Sequence, residues 1–270
     1  MRLTLAVIWI FIISYPLDVK ADIWGRDYYT KPFQPAFIFI AIFGAENSEL
    51  KLSEVDHNID QIPEGVDIAF YNKSIPEQKD YIEGFLTGTM GQLLKTQSPE
   101  LYQKTIQTNS IAIVSGEFKD VKSLTYLKNT IGIIKAITEE GAVSVIDFQI
   151  ARLYTPDQWS DTFFEPRRPS PQKHVFLMYS PEKDGIWLHS RGMRTFGMPD
   201  ISLVGWPEKH LHDGHKLARR FIEIYAKGKF PESGIEIKVE GLPRGMYTQL
   251  KGGYDNLDFN NFYIEIQWPK

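Results

Sequence analysis

The chain has 270 residues, a formal net charge of −4 and no cysteine. The near balance of acidic and basic residues leaves no basic field that would favour nucleic acid or anionic lipid as a partner. The lack of cysteine excludes thiol nucleophiles, cysteine zinc sites and iron–sulfur clusters, and an aromatic content of 13% indicates a well-packed globular protein.

The first segment of the chain, residues 1–21, has the pattern of a cleavable signal peptide. Arg2 supplies a positive charge, residues 3–15 are almost entirely apolar, and residues 19–21 place small side chains at the two positions that signal peptidase reads. A membrane-spanning helix needs about 20 apolar residues, and Pro16 ends this run earlier. The alternative is an uncleaved anchor or a buried first helix. The sequence therefore predicts export, without stable membrane insertion after cleavage.

Apolar runs and helical spacings predict the elements of an N-terminal half, residues 22–164. Residues 36–43 form an unbroken apolar run, which is typical of a central strand covered on both faces. The remaining predictions are a strand at 66–71, a helix from Pro76 to Leu94 that either continues through Gly88 or breaks there, a strand at 111–114, a helix at 121–137 and one long strand at 142–154. This order indicates an α+β fold, with mixed or antiparallel sheets and helices packed on one face.

A proline-rich segment at residues 165–171 is predicted to be a linker, because closely spaced prolines favour extended, solvated backbone. It separates the first half from a C-terminal half, residues 172–270. The elements predicted there are a hairpin of residues 174–179 and 186–190, a strand at 200–204, a helix at 213–227 and strands at 235–240 and 263–268. Both halves combine strands with helices, which also allows two similar sheet-plus-helix halves.

Two arginines, two glycines and an aspartate follow directly after a predicted strand, within residues 191–200. Arginine forks suit carboxylate or phosphate groups, so Arg191, Arg194 and Asp200 are candidates for an anion or peptide contact site. The structural alternative, which the pattern favours, is a turn whose glycines take positive φ and whose arginine pairs with Asp200 or Glu165.

Polar residues also interrupt the apolar segment 142–154. In a single strand, Asp147 and Gln149 share one face and Arg152 lies on the other. Buried polar groups need partners, so these residues form either the floor of a cleft or a solvated or ion-paired sheet face. Trp206 is a further candidate contact residue, because tryptophan is enriched at protein interfaces.

Three histidines and an aspartate lie within six residues: His210, His212, Asp213 and His215. These side chains are ligands for zinc and other divalent metals. The pattern is similar to the first motif of the metallo-β-lactamase superfamily, His-x-His-x-Asp-His, but Asp213 stands one position early and no histidine follows His215. The structural alternative places Asp213 at a helix N-cap and the histidines on a solvated turn.

Residues 141–149, 187–200 and 217–234 together resemble an uncharacterised family of bacterial proteins, a domain of unknown function. That family has a similar Arg-Gly-Met, Phe-Gly and Pro-Asp pattern after a tryptophan-bearing strand. The resemblance covers the C-terminal half to two-thirds of the mature chain. It implies a bacterial origin, and thus a periplasmic destination for an exported chain, and it transfers no catalytic residue.

Searches for a nucleophile elbow, a phosphate-binding loop, a dinucleotide fingerprint and a zinc-protease helix motif are negative. We therefore expect a periplasmic or secreted, non-catalytic binding protein without a cofactor, whose partner is another protein. Neutralisation of a toxin is one role that fits this expectation. The alternative is a metal-dependent hydrolase that uses the histidine cluster with zinc or another divalent metal.

Overall fold

The computed structural model describes residues 23–46, 50–256 and 258–269, and within them the strands form two sheets. The predicted signal peptide, residues 1–21, lies outside this described part. Among the described residues, no helix combines the length and the apolar character needed to cross a membrane.

Groups of consecutive strands and groups of consecutive helices follow one another along the chain. The strands are β1 Ala36–Phe43, β2 Val66–Asn72, β3 Ser110–Phe118, β4 Ser144–Asp147, β5 Arg152–Tyr154, β6 Phe176–Glu182, β7 Gly185–Arg191, β8 Asp200–Trp206, β9 Glu236–Ile237, β10 Met246–Gly253 and β11 Asn261–Gln267. The helices are α1 Pro76–Gly84, α2 Gly88–Gln97, α3 Pro99–Ile106, α4 Thr125–Thr138, α5 Pro156–Trp159, which continues as a π-helical turn Ser160–Phe164, and α6 Leu211–Ala226.

The first sheet has the strand order β2-β3-β1-β4-β5, and every neighbouring pair is antiparallel. β1 lies in the middle, as its unbroken apolar run predicts. Its isoleucines at 38, 40 and 42 pack with α4 on one face, whereas Ala41 and Phe43 pack with α1, α2 and α3 on the other. Helices therefore cover both faces of this sheet rather than one.

Two predicted elements are divided in the structure. The helix that begins at Pro76 breaks before Gly88, whose φ of +63° lies outside the helical region, and α2 starts there. The segment 142–154 is a hairpin of β4 and β5 instead of one strand. Asp147 Oδ1 accepts hydrogen bonds from the N–H groups of Gln149 at 2.8 Å and Ile150 at 3.4 Å, which turns the chain.

The second sheet has the order β6-β7-β8-β11-β10-β9, in which only β8 and β11 run parallel. α6 packs on one face, with Leu217 and Phe221 in the same apolar cluster as Ile201 and Leu203 of β8. The predicted hairpin is confirmed as β6 and β7, and the predicted helix at 213–227 is confirmed as α6. Strand β10 was not predicted. The α+β class with antiparallel and mixed sheets is confirmed. The two sheets differ in strand order and direction, so the halves do not share one topology.

One apolar core runs through both halves of the chain. Ile38 of β1 and Phe196 from the turn after β7 belong to the same buried cluster. The Tyr126 hydroxyl of α4 donates a 2.8 Å hydrogen bond to the carbonyl of Thr195, which also joins the halves. The segment 165–171, predicted to be a linker, connects the two sheets along the chain, and the core continues across it.

Candidate functional site

A groove of about 270 Å³ lies where the first sheet meets the second, and we call it the inter-sheet groove. β1 and the turn after β4 form one wall, and the end of β7 with the β10–β11 loop forms the other. The lining combines aromatic rings, one guanidinium and two side-chain amides: Phe37, Phe39, Phe148, Gln149, Arg191, Phe259 and Asn260.

The aromatic wall exists because phenylalanine and isoleucine alternate along β1. The isoleucines enter the core, whereas Phe37 and Phe39 lie on the opposite face and stay half-buried. The ring of Phe39 lies 5.4 Å from that of Phe148 and 5.9 Å from that of Phe85, measured between centroids. A continuous patch of partly exposed rings therefore borders the groove.

Arg191 is the cationic residue of the groove, and it forms no ion pair with a carboxylate of the described residues. The expected partner, Asp200, is occupied by other donors. Its Oδ1 accepts from the Ser190 hydroxyl at 2.7 Å and from the Met193 N–H at 3.3 Å. Its Oδ2 accepts from the side-chain amide of Asn261 at 2.8 Å. The predicted ion pair of an arginine with Asp200 or Glu165 is therefore wrong: among the described residues neither carboxylate pairs with Arg191 or Arg194, and Asp200 holds the turn instead.

Arg194 lies beside the groove, between two aromatic rings. Its guanidinium carbon is 4.4 Å from the centroid of Phe37 and 4.3 Å from that of Tyr254. Its Nε is buried and has no hydrogen-bond partner among the described residues. Burial lowers the pKa of Arg194, while the nearby Tyr254 and Glu117 act in the opposite direction. Aromatic faces rather than a carboxylate thus hold this second cation.

The turn that carries both arginines depends on two glycines, as predicted. Gly192 has a φ of +121° and Gly197 a φ of +62°. A Cβ at Gly192 would lie 2.3 Å from the carbonyl oxygen of His174, and one at Gly197 would lie 2.5 Å from that of Gln34. The turn therefore packs directly on backbone from both halves, which fixes the backbone that carries the two arginines.

Asp147 lies on the other face of the first sheet, opposite Ile40 in the β1–β4 ladder. It lines an internal cavity of about 20 Å³ with His174, a volume that suits a single water molecule. Across the hairpin it pairs with Arg152, and directly paired residues share a face, so the predicted opposite placement is wrong. Gln149 lines both this cavity and the groove.

Burial shifts the two titratable groups of this cavity in opposite directions. It raises the pKa of Asp147 to about 7, against the lowering effect of its two backbone hydrogen bonds, and it lowers the pKa of His174 to about 4. The stability that comes from protonated Asp147 is therefore present at low pH and is lost as the pH rises through about 7. The contribution of neutral His174 is present above its ordinary pKa and is lost as the pH falls toward 4.

The free energy of unfolding of Asp147→Asn, relative to that of the wild type, is expected to increase by about 2–3 kcal/mol when the pH is raised from 5 to 8. The asparagine keeps an oxygen that can accept from the N–H groups of Gln149 and Ile150, and it removes the charge that burial disfavours. Urea unfolding of both proteins at each pH measures the difference between their free energies of unfolding. Because both proteins contain His174, its titration cancels in this difference. A difference that does not change with pH would show that Asp147 does not titrate in this range.

Trp206 is a core residue, so the prediction that its side chain contacts a partner is wrong. It is completely buried, and its Nε1 donates a 2.7 Å hydrogen bond to the carbonyl of His210. The ring of Trp268 packs edge-on against it at 4.8 Å. Trp159 is likewise a core residue, with 2% of its surface exposed.

The histidine cluster does not converge on one point. His210 Nδ1 lies 3.1 Å from Asp213 Oδ2, and Asp213 stands in the first turn of α6 rather than at its N-cap. Burial lowers the pKa of His215, and the charges of Arg219 and His212 add to this effect. The part of the chain that the structure describes contains no group of three or more histidine, aspartate or glutamate side chains arranged to hold a metal ion. The metal-dependent alternative therefore rests on its sequence pattern.

Sequence reasoning selected Arg191, Arg194 and Gln149 but missed the aromatic residues around them. The strict alternation of phenylalanine with isoleucine at residues 37–40 is the signal that could have indicated a second, accessible face. The contribution of Phe259 had no comparable signal, since the β10–β11 loop that carries it is polar.

Comparisons of this chain with family models, with curated proteins and with solved structures find no match. The resemblance to an uncharacterised bacterial family stays an expectation from the three segments that carry it.

Proposed function

We propose that this chain is an exported, non-catalytic binding protein that recognises another protein through the inter-sheet groove. The observation that carries the proposal is the combination of three half-buried phenylalanine rings with an arginine that has no carboxylate partner among the described residues. Aromatic residues and arginine are the side chains most enriched at the centres of protein interfaces.

The chemistry of the lining favours binding over catalysis. The described residues that line the groove contribute aromatic rings, a guanidinium and amides, and none contributes a carboxylate, an imidazole or a hydroxyl group. A general base or a nucleophile normally comes from one of those three groups. The metal-dependent hydrolase gains no support from the arrangement of the histidines.

Rigidity also supports a recognition role. Both walls belong to sheets that share one core, and the arginine-bearing turn packs against backbone atoms of both halves. A preformed site loses less conformational entropy when it binds. Export follows from the pattern of residues 1–21, and neutralisation of a toxin met in the periplasm or outside the cell is the role that we favour.

A photo-crosslinking amino acid at Asn260 tests the proposal, since this exposed residue lies on the rim of the groove. The matched control places the same amino acid at Lys209, an exposed residue just before α6 and outside the groove lining. In cells of the source organism we expect one protein to be captured from position 260 and not from position 209. Phe39→Ala in the position-260 protein is expected to reduce that capture at least tenfold, and circular dichroism checks that this variant is folded.

Equal capture from both positions, or capture that Phe39→Ala leaves unchanged, would contradict the proposal. Co-expression of the captured protein with and without this chain then tests the role. Growth inhibition that this chain relieves is expected if the partner is a toxin.

A further inference from the structure

We infer that the inter-sheet groove binds the free C-terminal carboxylate of its partner, together with the apolar or aromatic side chain of the last residue. This inference rests on the proposed function and deepens it by naming the ligand chemistry. It follows from the charges, the size and the aromatic surface of the groove.

The charge of the groove favours an anionic ligand. Arg191 lines the groove and Arg194 lies behind Phe37, and neither forms an ion pair with a carboxylate of the described residues. Asp200 lies near Arg191, but its oxygens are already bound by three donors. Glu117 lies near Arg194 at more than ion-pair distance. The guanidinium of Arg191 is thus available to an anionic group in the groove, with the second positive charge, Arg194, behind Phe37, and the planar fork of arginine matches a carboxylate.

The size of the groove favours a short ligand. A groove of about 270 Å³ is slightly smaller than the ~300–1,000 Å³ typical of small-ligand sites, so it accommodates one or two residues rather than a long segment. A C-terminal residue places its carboxylate and its side chain on the same Cα. A single C-terminal residue can therefore bind Arg191 through its carboxylate and contact the rings of Phe37 and Phe39 through its side chain.

Two side-chain amides give the groove a polar rim. The side-chain amides of Gln149 and Asn260 line the same groove. Each amide can both donate and accept hydrogen bonds, which suits the last peptide group of a polypeptide. An extended segment with an internal acidic side chain would need a longer groove for the chain on both sides. The combination therefore favours a chain end.

The probes are N-acetylphenylalanine, which has a free carboxylate, N-acetylphenylalaninamide, which lacks it, and N-acetylaspartylphenylalaninamide, which carries the carboxylate on a side chain. Binding to the full-length mature protein is followed by NMR through the side-chain amide signals of Gln149 and Asn260. We expect the free acid to bind at least tenfold more tightly than either amide. Arg191→Met is expected to abolish that difference, Arg191→Lys to restore part of it, and Arg220→Met, an exposed arginine of α6, to leave it unchanged.

Equal affinity for the acid and the simple amide, or no shift of either signal with the acid, would overturn the inference. Equal affinity for the free acid and the aspartyl amide would overturn the assignment to a chain end.

The proposed function and the binding of a C-terminal carboxylate can fail independently of each other. If no protein is captured at position 260 while the acid binds, the groove takes small carboxylates and the proposed function fails. If a protein is captured while the acid and amide bind equally, only this inference fails.

Discussion

Gly132→Ala is expected to destabilise the protein by about 3 kcal/mol or more, because α4 packs directly against backbone at this residue. A Cβ there would lie 2.1 Å from the carbonyl oxygen of His57 and 2.4 Å from Cγ1 of Ile59. The segment that carries these atoms cannot move away easily, since the N–H of Asp60 donates a 3.1 Å hydrogen bond to Asn129 of the same helix. Urea unfolding of the variant and the wild type measures the loss.

Gly84→Ala is the matched control, because Gly84 is also a helical glycine but a Cβ there meets no atom within 4 Å. Alanine is the better helix former, so this variant is expected to be unchanged or more stable by up to about 1 kcal/mol. Similar losses in the two variants would show that helix conformation, and not close packing, determines the effect.

Trp206→Ala is expected to cost about 3–5 kcal/mol and to leave the affinity of the folded protein for groove probes unchanged. The side chain is completely buried between β8 and α6, and its indole N–H satisfies the carbonyl of His210. Thermal and urea unfolding measure the stability, and the NMR titration with N-acetylphenylalanine measures the affinity at a temperature where the variant is folded.

The control for this substitution is Tyr179→Ala on β6, where the aromatic side chain is 60% exposed. It is expected to change stability by no more than about 0.5 kcal/mol. A loss of affinity in folded Trp206→Ala, with Tyr179→Ala unaffected, would return Trp206 to the list of binding residues.

Local sequence patterns predicted those elements whose burial is regular along the chain. The apolar run of β1 predicted a central strand, and the helical spacing of apolar residues predicted α4, because each pattern reflects the period of its own element. The spacing did not show that α4 is buried on nearly all sides. The glycines at 192 and 197 predicted a turn with positive φ. The pattern wrongly predicted a single strand at residues 142–154, because the hydrogen bonds that the Asp147 carboxylate accepts turn the chain within this apolar segment.

By itself, the sequence determined the α+β class, the middle strand of the first sheet and the arginine-bearing turn, because these depend on residues close together in the chain. Only the tertiary structure decided that Trp206 is buried, that Asp147 faces a cavity shared with His174, and that Asp200 bonds to groups other than arginine. The groove belongs to this second class. Its two walls include Phe37 and Phe259, which are more than 200 positions apart, and no local pattern records which side chains a folded chain brings together.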